Sequence, residues 1–189
     1  VDHFGAVNFF KRMFGTKIYM GEPDVKMFQE NPELALIQES GNCTEKLFDI
    51  DVSIKEGDIL TFGNTEIEFH LVPGHTQGCI ACFFDVTDGA EKKRVGYYGG
   101  FGFNTLQEEY LREIGDETLE ARKQYHHSLA SVREQKVDIF MGNHTANVDL
   151  LNKRKYMTEH PGENPFIDSE AWKNYLDLKE KELSELEQA

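Results

Sequence analysis

Two histidines stand where the local chain would hold an imidazole in place for a metal ion. His75 lies in the sequence VPGHTQG (residues 72–78), in which a Pro-Gly turn ends a predicted strand and two glycines permit a tight loop. A histidine on such a stiff turn loses little entropy on binding, so it is a good metal ligand. His144 follows the predicted strand 137–141, and sites in α/β proteins gather at the carboxyl ends of strands.

A further pair of candidate ligands opens the chain. Asp2 and His3 directly precede a predicted helix at residues 4–14, and a carboxylate beside an imidazole can bind zinc. Taken singly, each of these signals also fits a surface position without function, such as an ordinary turn for His75.

Strands and helices must position these side chains. The centre of the chain is typical of sheet, because apolar residues alternate along 66–72 and run continuously along 79–86. Further strands are predicted at 16–20, 47–54, 59–62 and 94–98, with a polar hairpin loop at 87–93. Residues 21–40 are predicted to be irregular with some helix. Helices are predicted at 105–111, 117–134 and 149–159. The last helix is expected to begin near Asp168 or Ser169, with an inner stripe of Trp172, Tyr175, Leu176, Leu183 and Leu186.

Length and composition limit the classes of protein that remain. The chain has 189 residues, 39% of them hydrophobic, so it can bury a core, and one α/β domain spanning residues 1–189 is predicted. Its 34 acidic and 20 basic residues give a net charge of −14, which argues against nucleic acid and anionic membranes as partners. No apolar run reaches the ~20 residues of a membrane span. Three cysteines do not suggest a disulfide scaffold.

Other chemically capable residues are given structural interpretations. Cys79 and Cys82 form a Cys-x-x-Cys sequence, but positions i and i+3 of a strand face opposite sides, so core thiols are expected rather than a metal or redox pair. The remaining histidines are expected at the surface, in a loop or along a helix: His70, His126, His127 and His160. Candidates for lining a substrate pocket are Phe101, Phe103 and Asn104.

Taken together, the motifs resemble the metallo-β-lactamase superfamily. The resemblance rests on Asp-His-Phe-Gly-Ala before a helix, on Pro-Gly-His-Thr-x-Gly after a strand, and on Gly-Asn-His-Thr, and it covers essentially the whole chain. Residues 125–145 and 164–168 look most like the third subclass, B3. The family motif is His-x-His-x-Asp-His, and this chain enters it just before Asp2. The resemblance therefore implies the C-terminal part of an αββα sandwich, with the N-terminal half absent.

The same resemblance implies a role for each candidate ligand. Asp2, His3 and His144 match ligands of the second zinc ion, and His75 matches a ligand of the first. Asp2 would also act as a proton acceptor. Many hydrolases of the superfamily carry a metal-bridging aspartate where this chain has Gly99-Gly100. The third subclass also lacks that aspartate, so the glycines argue against a thioesterase of the glyoxalase II type or a phosphodiesterase.

The resemblance thus implies a zinc-dependent hydrolase acting on a small amide, ester or lactam through a hydroxide formed at the metal. The chain itself is expected to be a truncated piece that binds zinc weakly and hydrolyses little. The alternative is a non-catalytic module used for assembly or binding. In either case we expect a small-molecule substrate for the parent enzyme, a cytoplasmic location, and self-association that covers the face left by the missing half.

Overall fold

A computed structural model of the protein describes residues 3–35 and 47–188. The chain folds into α/β structure with one five-stranded and one two-stranded sheet. The strands are β1 Tyr19–Gly21, β2 Val52–Ile54, β3 Ile59–Phe62, β4 Thr65–Leu71, β5 Ile80–Asp88, β6 Glu91–Tyr98 and β7 Ile139–Gly142. The helices are α1 Val7–Phe14, α2 Glu22–Glu30, α3 Glu108–Glu113, α4 Glu120–Arg133, α5 Leu150–Glu159 and α6 Ala171–Glu187. Short 3₁₀ turns cover Pro32–Ala35, Asn104–Leu106 and Thr145–Val148.

The order of strands brings three loops to one edge of the larger sheet. Strands β3 to β6 pair antiparallel in sequence order, and β7 joins β6 in parallel. Strands β4, β6 and β7 therefore run in the same direction, and their carboxyl ends lie on the same side of the sheet. The loops that follow them carry His75, residues 99–102 and His144.

A hydrophobic core lies between the five-stranded sheet and helices α4 and α6. Its centre is Trp172, whose ring packs against Phe83 at 5.4 Å and Phe140 at 5.7 Å between ring centres. The indole N–H of Trp172 donates to the carbonyl of Val132 on α4 at 3.0 Å. The predicted inner stripe of the last helix is confirmed, since all five of its residues belong to this core or pack against it.

Several predicted boundaries were wrong, for local reasons. Helix α2 lies in the stretch 21–40, where some helix was predicted without bounds, and Pro23 lies in its first turn, where proline is tolerated. The predicted polar loop 87–93 is mostly strand, because β5 and β6 stay paired out to Asp88 and Glu91. Helix α6 begins at Ala171, and the Asp168 carboxylate accepts the Glu170 amide at 3.0 Å just before it.

The outer edge of β7 is covered by the chain that follows α5. Ile167 forms an antiparallel bridge with Ile139. The amide of Asp168 donates to the carbonyl of Asp138 at 2.8 Å. At the opposite end of the sheet β3 pairs with β4, and among the described residues it has no other strand partner.

Helix α1 stands apart from the core. None of its residues is buried, and it exposes an aromatic face formed by Phe9, Phe10, Met13 and Phe14. The three phenyl rings lie within 6.2 Å of one another, so they form one continuous patch. Lys11 forms an ion pair with the Asp51 carboxylate, just before β2, at 2.8 Å. Over the described residues, no helix combines the length and apolar character needed to cross a membrane.

Candidate metal site

His3 and His144 meet although 141 positions separate them in the chain. Their Nε2 atoms lie 3.2 Å apart, and the rings meet edge to face with centres 4.8 Å apart. Two nitrogen ligands of one tetrahedral zinc ion, each at 2.0–2.1 Å from the metal, lie about 3.3 Å apart. The two Nε2 atoms are within hydrogen-bond distance of each other, and the same spacing fits two ligands of a single zinc ion.

The backbone around His144 is held by the turn that follows it. The Asn147 side-chain oxygen accepts the His144 amide at 2.8 Å, and the Asn147 amide donates to the His144 carbonyl at 3.0 Å. The Asn147 side-chain NH₂ in turn donates to the Tyr175 hydroxyl at 2.6 Å. Gly142 is required here, because a Cβ at this position would lie 2.3 Å from the Cβ of Asn147. His144 thus stands on a turn that is anchored to α6.

His75 is held by the loop that follows β6 and by the 3₁₀ turn after it. Its Nδ1 atom lies 2.9 Å from the Gly102 carbonyl oxygen and 2.9 Å from the Thr105 hydroxyl. The Thr105 hydroxyl donates its single proton to the His75 carbonyl at 2.7 Å. Both neighbours of Nδ1 therefore accept, and the hydrogen-bond network assigns the proton to Nδ1. In the neutral ring this leaves the lone pair on Nε2, the nitrogen that would face a metal.

The loop of His75 is also held from the other side by Asp24 on α2. The Asp24 carboxylate accepts the Thr76 hydroxyl at 2.6 Å and the Gly78 amide at 2.7 Å. Burial raises the pKa of Asp24, although these two hydrogen bonds act to lower it. Gly74 is needed in the same loop, because it has a φ of +143° and a Cβ there would lie 2.6 Å from Tyr125. The loop that carries His75 is therefore held between Asp24 on α2 and Tyr125 on α4.

The position after β6 has no room for a metal-bridging carboxylate. Gly100 has a φ of +84°, and a Cβ on it would lie 2.4 Å from the Cys79 sulfur and 3.0 Å from the His75 Cβ. Any side chain here would displace the loop that carries His75. The packing thus gives a physical reason for a glycine at this position.

Over the residues that it describes, the structure brings some of the predicted metal ligands together, but not all of them. It brings His3 and His144 together and places His75 at the same sheet edge, while Asp2 lies outside the described residues. Within residues 3–35 and 47–188, no three His, Cys, Asp or Glu side chains form a group that could hold a metal ion. Three residues of the site were missed from the sequence because nothing local marks them: Asp24, Gly102 and Thr105.

The structure also locates the two cysteines, Phe101 and His126. Cys79 and Cys82 are free thiols, and burial raises the pKa of each to about 11. Cys79 packs against the core as predicted, whereas Cys82 is half-buried. Phe101, a predicted pocket-lining residue, is buried and stacks on Tyr98 with ring centres 4.3 Å apart. His126 pairs with two glutamates of α6.

A mainly apolar hollow of about 390 Å³ adjoins His144. Its walls include Met141, Val148, Phe166 and Asn143. The Asn143 side-chain oxygen is buried and accepts no hydrogen bond within the described part of the chain. The hollow could take an apolar group of a small molecule held at the histidines.

Comparison of the sequence with known proteins gives a partial match. No family model matches the chain. An uncharacterized protein of Aquifex aeolicus (strain VF5) is 31% identical over 97 residues, which cover 50% of this chain and 41% of that protein. The match thus spans about two fifths of the length of this curated relative.

Solved structures match over nearly all of the chain. The FEZ-1 metallo-β-lactamase of Legionella gormanii superposes with a TM-score of 0.80 at 23% identity, covering 97% of this chain and 70% of that one. GOB-18 of Elizabethkingia meningoseptica gives 0.79 at 23% identity, covering 98% and 67%. BJP-1 of Bradyrhizobium japonicum, a subclass B3 enzyme, gives 0.76 at 22% identity, covering 97% and 69%. The chain therefore has the metallo-β-lactamase fold, over a part that corresponds to about 70% of the length of these enzymes.

Proposed function

We propose that the protein carries part of the zinc site of a metal-dependent hydrolase that acts on a small amide, ester or lactam. The observation that carries this proposal is the 3.2 Å separation of the His3 and His144 Nε2 atoms at the carboxyl edge of a metallo-β-lactamase fold. Two imidazoles at this spacing suit zinc, whose usual protein ligands are histidine, cysteine and carboxylate.

Each residue has a stated task in the proposed site. His3 and His144 would bind one zinc ion, with Asp2 as the neighbouring carboxylate ligand and proton acceptor. His75 would bind a metal through Nε2, since its Nδ1 carries the proton. Zinc, when bound, supplies Lewis acidity that lowers the pKa of water and polarises a carbonyl group. The hollow beside His144 would hold the apolar part of the substrate.

We expect this chain to bind zinc weakly and to hydrolyse little on its own. Among the described residues, His3 and His144 approach each other, while His75 is held by the Gly102 carbonyl. Two imidazoles are fewer ligands than a catalytic zinc site normally has. The runner-up function, a non-catalytic assembly module, is supported by the exposed aromatic face of α1.

Zinc content separates the two functions. The chain, prepared without a polyhistidine tag, is dialysed against zinc and analysed for metal beside the His3→Ala, His144→Ala double variant. A His127→Ala variant is the matched control, because His127 is exposed on α4. We expect about one equivalent of zinc in the wild type and the control, and little in the double variant. Equal zinc in all three proteins, or none in the wild type, would contradict the metal site.

Hydrolysis is then measured with a chromogenic β-lactam and a p-nitrophenyl ester, with and without added zinc. Zinc-dependent turnover that disappears in the double variant supports the hydrolase. Because this chain is expected to hydrolyse little, slow turnover that depends on zinc still supports the hydrolase. Zinc binding with no detectable zinc-dependent turnover of either probe favours the assembly module.

A further inference from the structure

We propose that Thr105 is a positioning residue that holds His75 in the orientation needed to bind a metal. This inference rests on the proposed function, which makes His75 a ligand. One hydroxyl makes two contacts with the same residue: it donates to the His75 carbonyl at 2.7 Å and accepts from Nδ1 at 2.9 Å. Joining the backbone to the ring in this way limits rotation about both side-chain bonds of His75.

Thr105 can do this because it lies on a rigid element. It is 8% exposed and sits in the 3₁₀ turn Asn104–Leu106. Leu106 is fully buried, and its carbonyl accepts the side chain of Arg122, itself buried on α4, at 2.9 Å. The turn is thus fixed to the core from behind, and its hydroxyl faces His75.

Thr105 and Gly102 contact His75 in different ways. The Gly102 carbonyl, 2.9 Å from Nδ1, can only accept, so it favours the protonated form of that nitrogen whatever residue occupies position 105. It does not contact the His75 backbone through any hydrogen bond described, whereas the Thr105 hydroxyl links backbone and ring. Without that hydroxyl, the ring would keep its contact with the Gly102 carbonyl and lose the link between the His75 backbone and ring. Outer partners of this kind typically change metal affinity by about 10–100-fold.

Three variants test this role. Thr105→Val removes the hydroxyl at nearly constant volume, and Thr105→Ser keeps it. Thr158→Val is the control, because it removes a threonine hydroxyl that bonds only within exposed α5. Zinc affinity is measured by competition with a chromophoric chelator, and thermal unfolding checks that each variant is folded. We expect a loss of about 10–100-fold in Thr105→Val, and near wild-type affinity in Thr105→Ser and Thr158→Val.

A second readout needs no metal. Long-range ¹H–¹⁵N spectra of the metal-free protein report which nitrogen of His75 is protonated and whether the ring has one orientation. We expect a single Nδ1–H form in the wild type and in Thr105→Ser, and broadened or doubled signals in Thr105→Val. A wild-type His75 protonated mainly at Nε2 overturns the proposal, even if Thr105→Val does not fold.

The two readouts also separate this inference from the proposed function. Unchanged zinc affinity and unchanged His75 signals in a folded Thr105→Val protein would refute the role of Thr105 while leaving the zinc site intact. If the wild type binds no zinc, the proposed function fails, and the spectra alone decide whether Thr105 orients His75. Equal losses in Thr105→Ser and Thr105→Val would also refute the role, because the hydroxyl would then not matter.

Discussion

Gly78 lies so close to Asp24 that no side chain fits between them. A Cβ on Gly78 would lie 2.5 Å from the Asp24 backbone nitrogen and 2.6 Å from its carboxyl carbon. The same approach lets the Asp24 carboxylate accept the Gly78 amide. The loop that carries His75 is therefore locked to α2 by contact as well as by hydrogen bonds.

We expect Gly78→Ala to lower the free energy of unfolding by about 1–3 kcal/mol, because the added methyl group must displace backbone as well as side chain. Urea denaturation followed by circular dichroism measures the change. Gly99→Ala is the comparison, since its nearest contact would be 3.2 Å and the expected loss is smaller. Equal stability of Gly78→Ala and wild type would show that the loop yields to α2.

Helix α6 offers a matched pair of leucines. Leu176 is buried in the core, whereas Leu178, two residues along, is 45% exposed. Leu176→Ala should cost about 2–5 kcal/mol of unfolding free energy, and Leu178→Ala should cost far less. The emission of Trp172, the single tryptophan of the chain and buried on the same helix, reports the transition. Similar costs for the two variants would mean that α6 does not dock as described.

The contact between α4 and α6 should depend on pH through His126. Its Nδ1 lies 2.7 Å from Glu180 and its Nε2 lies 3.2 Å from Glu187. Burial acts to lower the pKa of His126, but the hydrogen bonds to both glutamates outweigh it and raise the pKa above 6.5. The stabilising effect of the charged ring is thus complete below pH 6.5 and is lost as the pH rises through the folded-state pKa.

Unfolding free energies of wild type and His126→Asn, compared at about pH 5.5 and pH 8.5, test this dependence. At the lower pH, the wild type should be more stable than His126→Asn by up to about 1 kcal/mol, because partly exposed ion pairs contribute no more than this. The difference should nearly vanish at the higher pH. A wild-type advantage that grows with pH would contradict the assigned direction.

The aromatic face of α1 leads us to expect self-association. Phe14 alone is 69% exposed, and contiguous exposed apolar patches of this kind commonly mark interfaces. Light scattering at micromolar concentration should give a mass above the 21.7 kDa of one chain. The Phe10→Ser, Phe14→Ser double variant should shift the mass towards that value, and Leu151→Ser, an exposed leucine of α5, should not. A wild type that stays at the mass of one chain would refute the expectation.

Those parts of the fold with local signals could be predicted from the sequence. Strand β3 was predicted with both ends correct, because turns at Gly57 and Gly63 bound it and each glycine adopts a positive φ. The stripe of α6 was predicted because apolar residues recur at helical spacing. The histidines at 75 and 144 could be singled out because each follows a strand and a glycine.

The supports of the site could not be predicted, because they join distant parts of the chain. Thr105 lies 30 positions from His75, and Asp24 lies 52 positions from Thr76. No periodicity links such residues, and a threonine or an aspartate in a turn has many common uses. The stacking of Phe101 on Tyr98 could not be predicted for a similar reason, because it depends on how the chain turns after β6.

The two ends of the five-stranded sheet differ in how they would meet another molecule. The strand at one end, β7, is already occupied by Ile167, so its backbone groups are partly used within the chain. At the other end β3 presents Ile59, 61% exposed, and Phe62, 41% exposed, beside an edge that has no further partner among the described strands. Exposed apolar edge strands are where aggregation by strand pairing begins. In a concentrated or aged sample, aggregation should therefore begin with pairing between the β3 strands of different molecules.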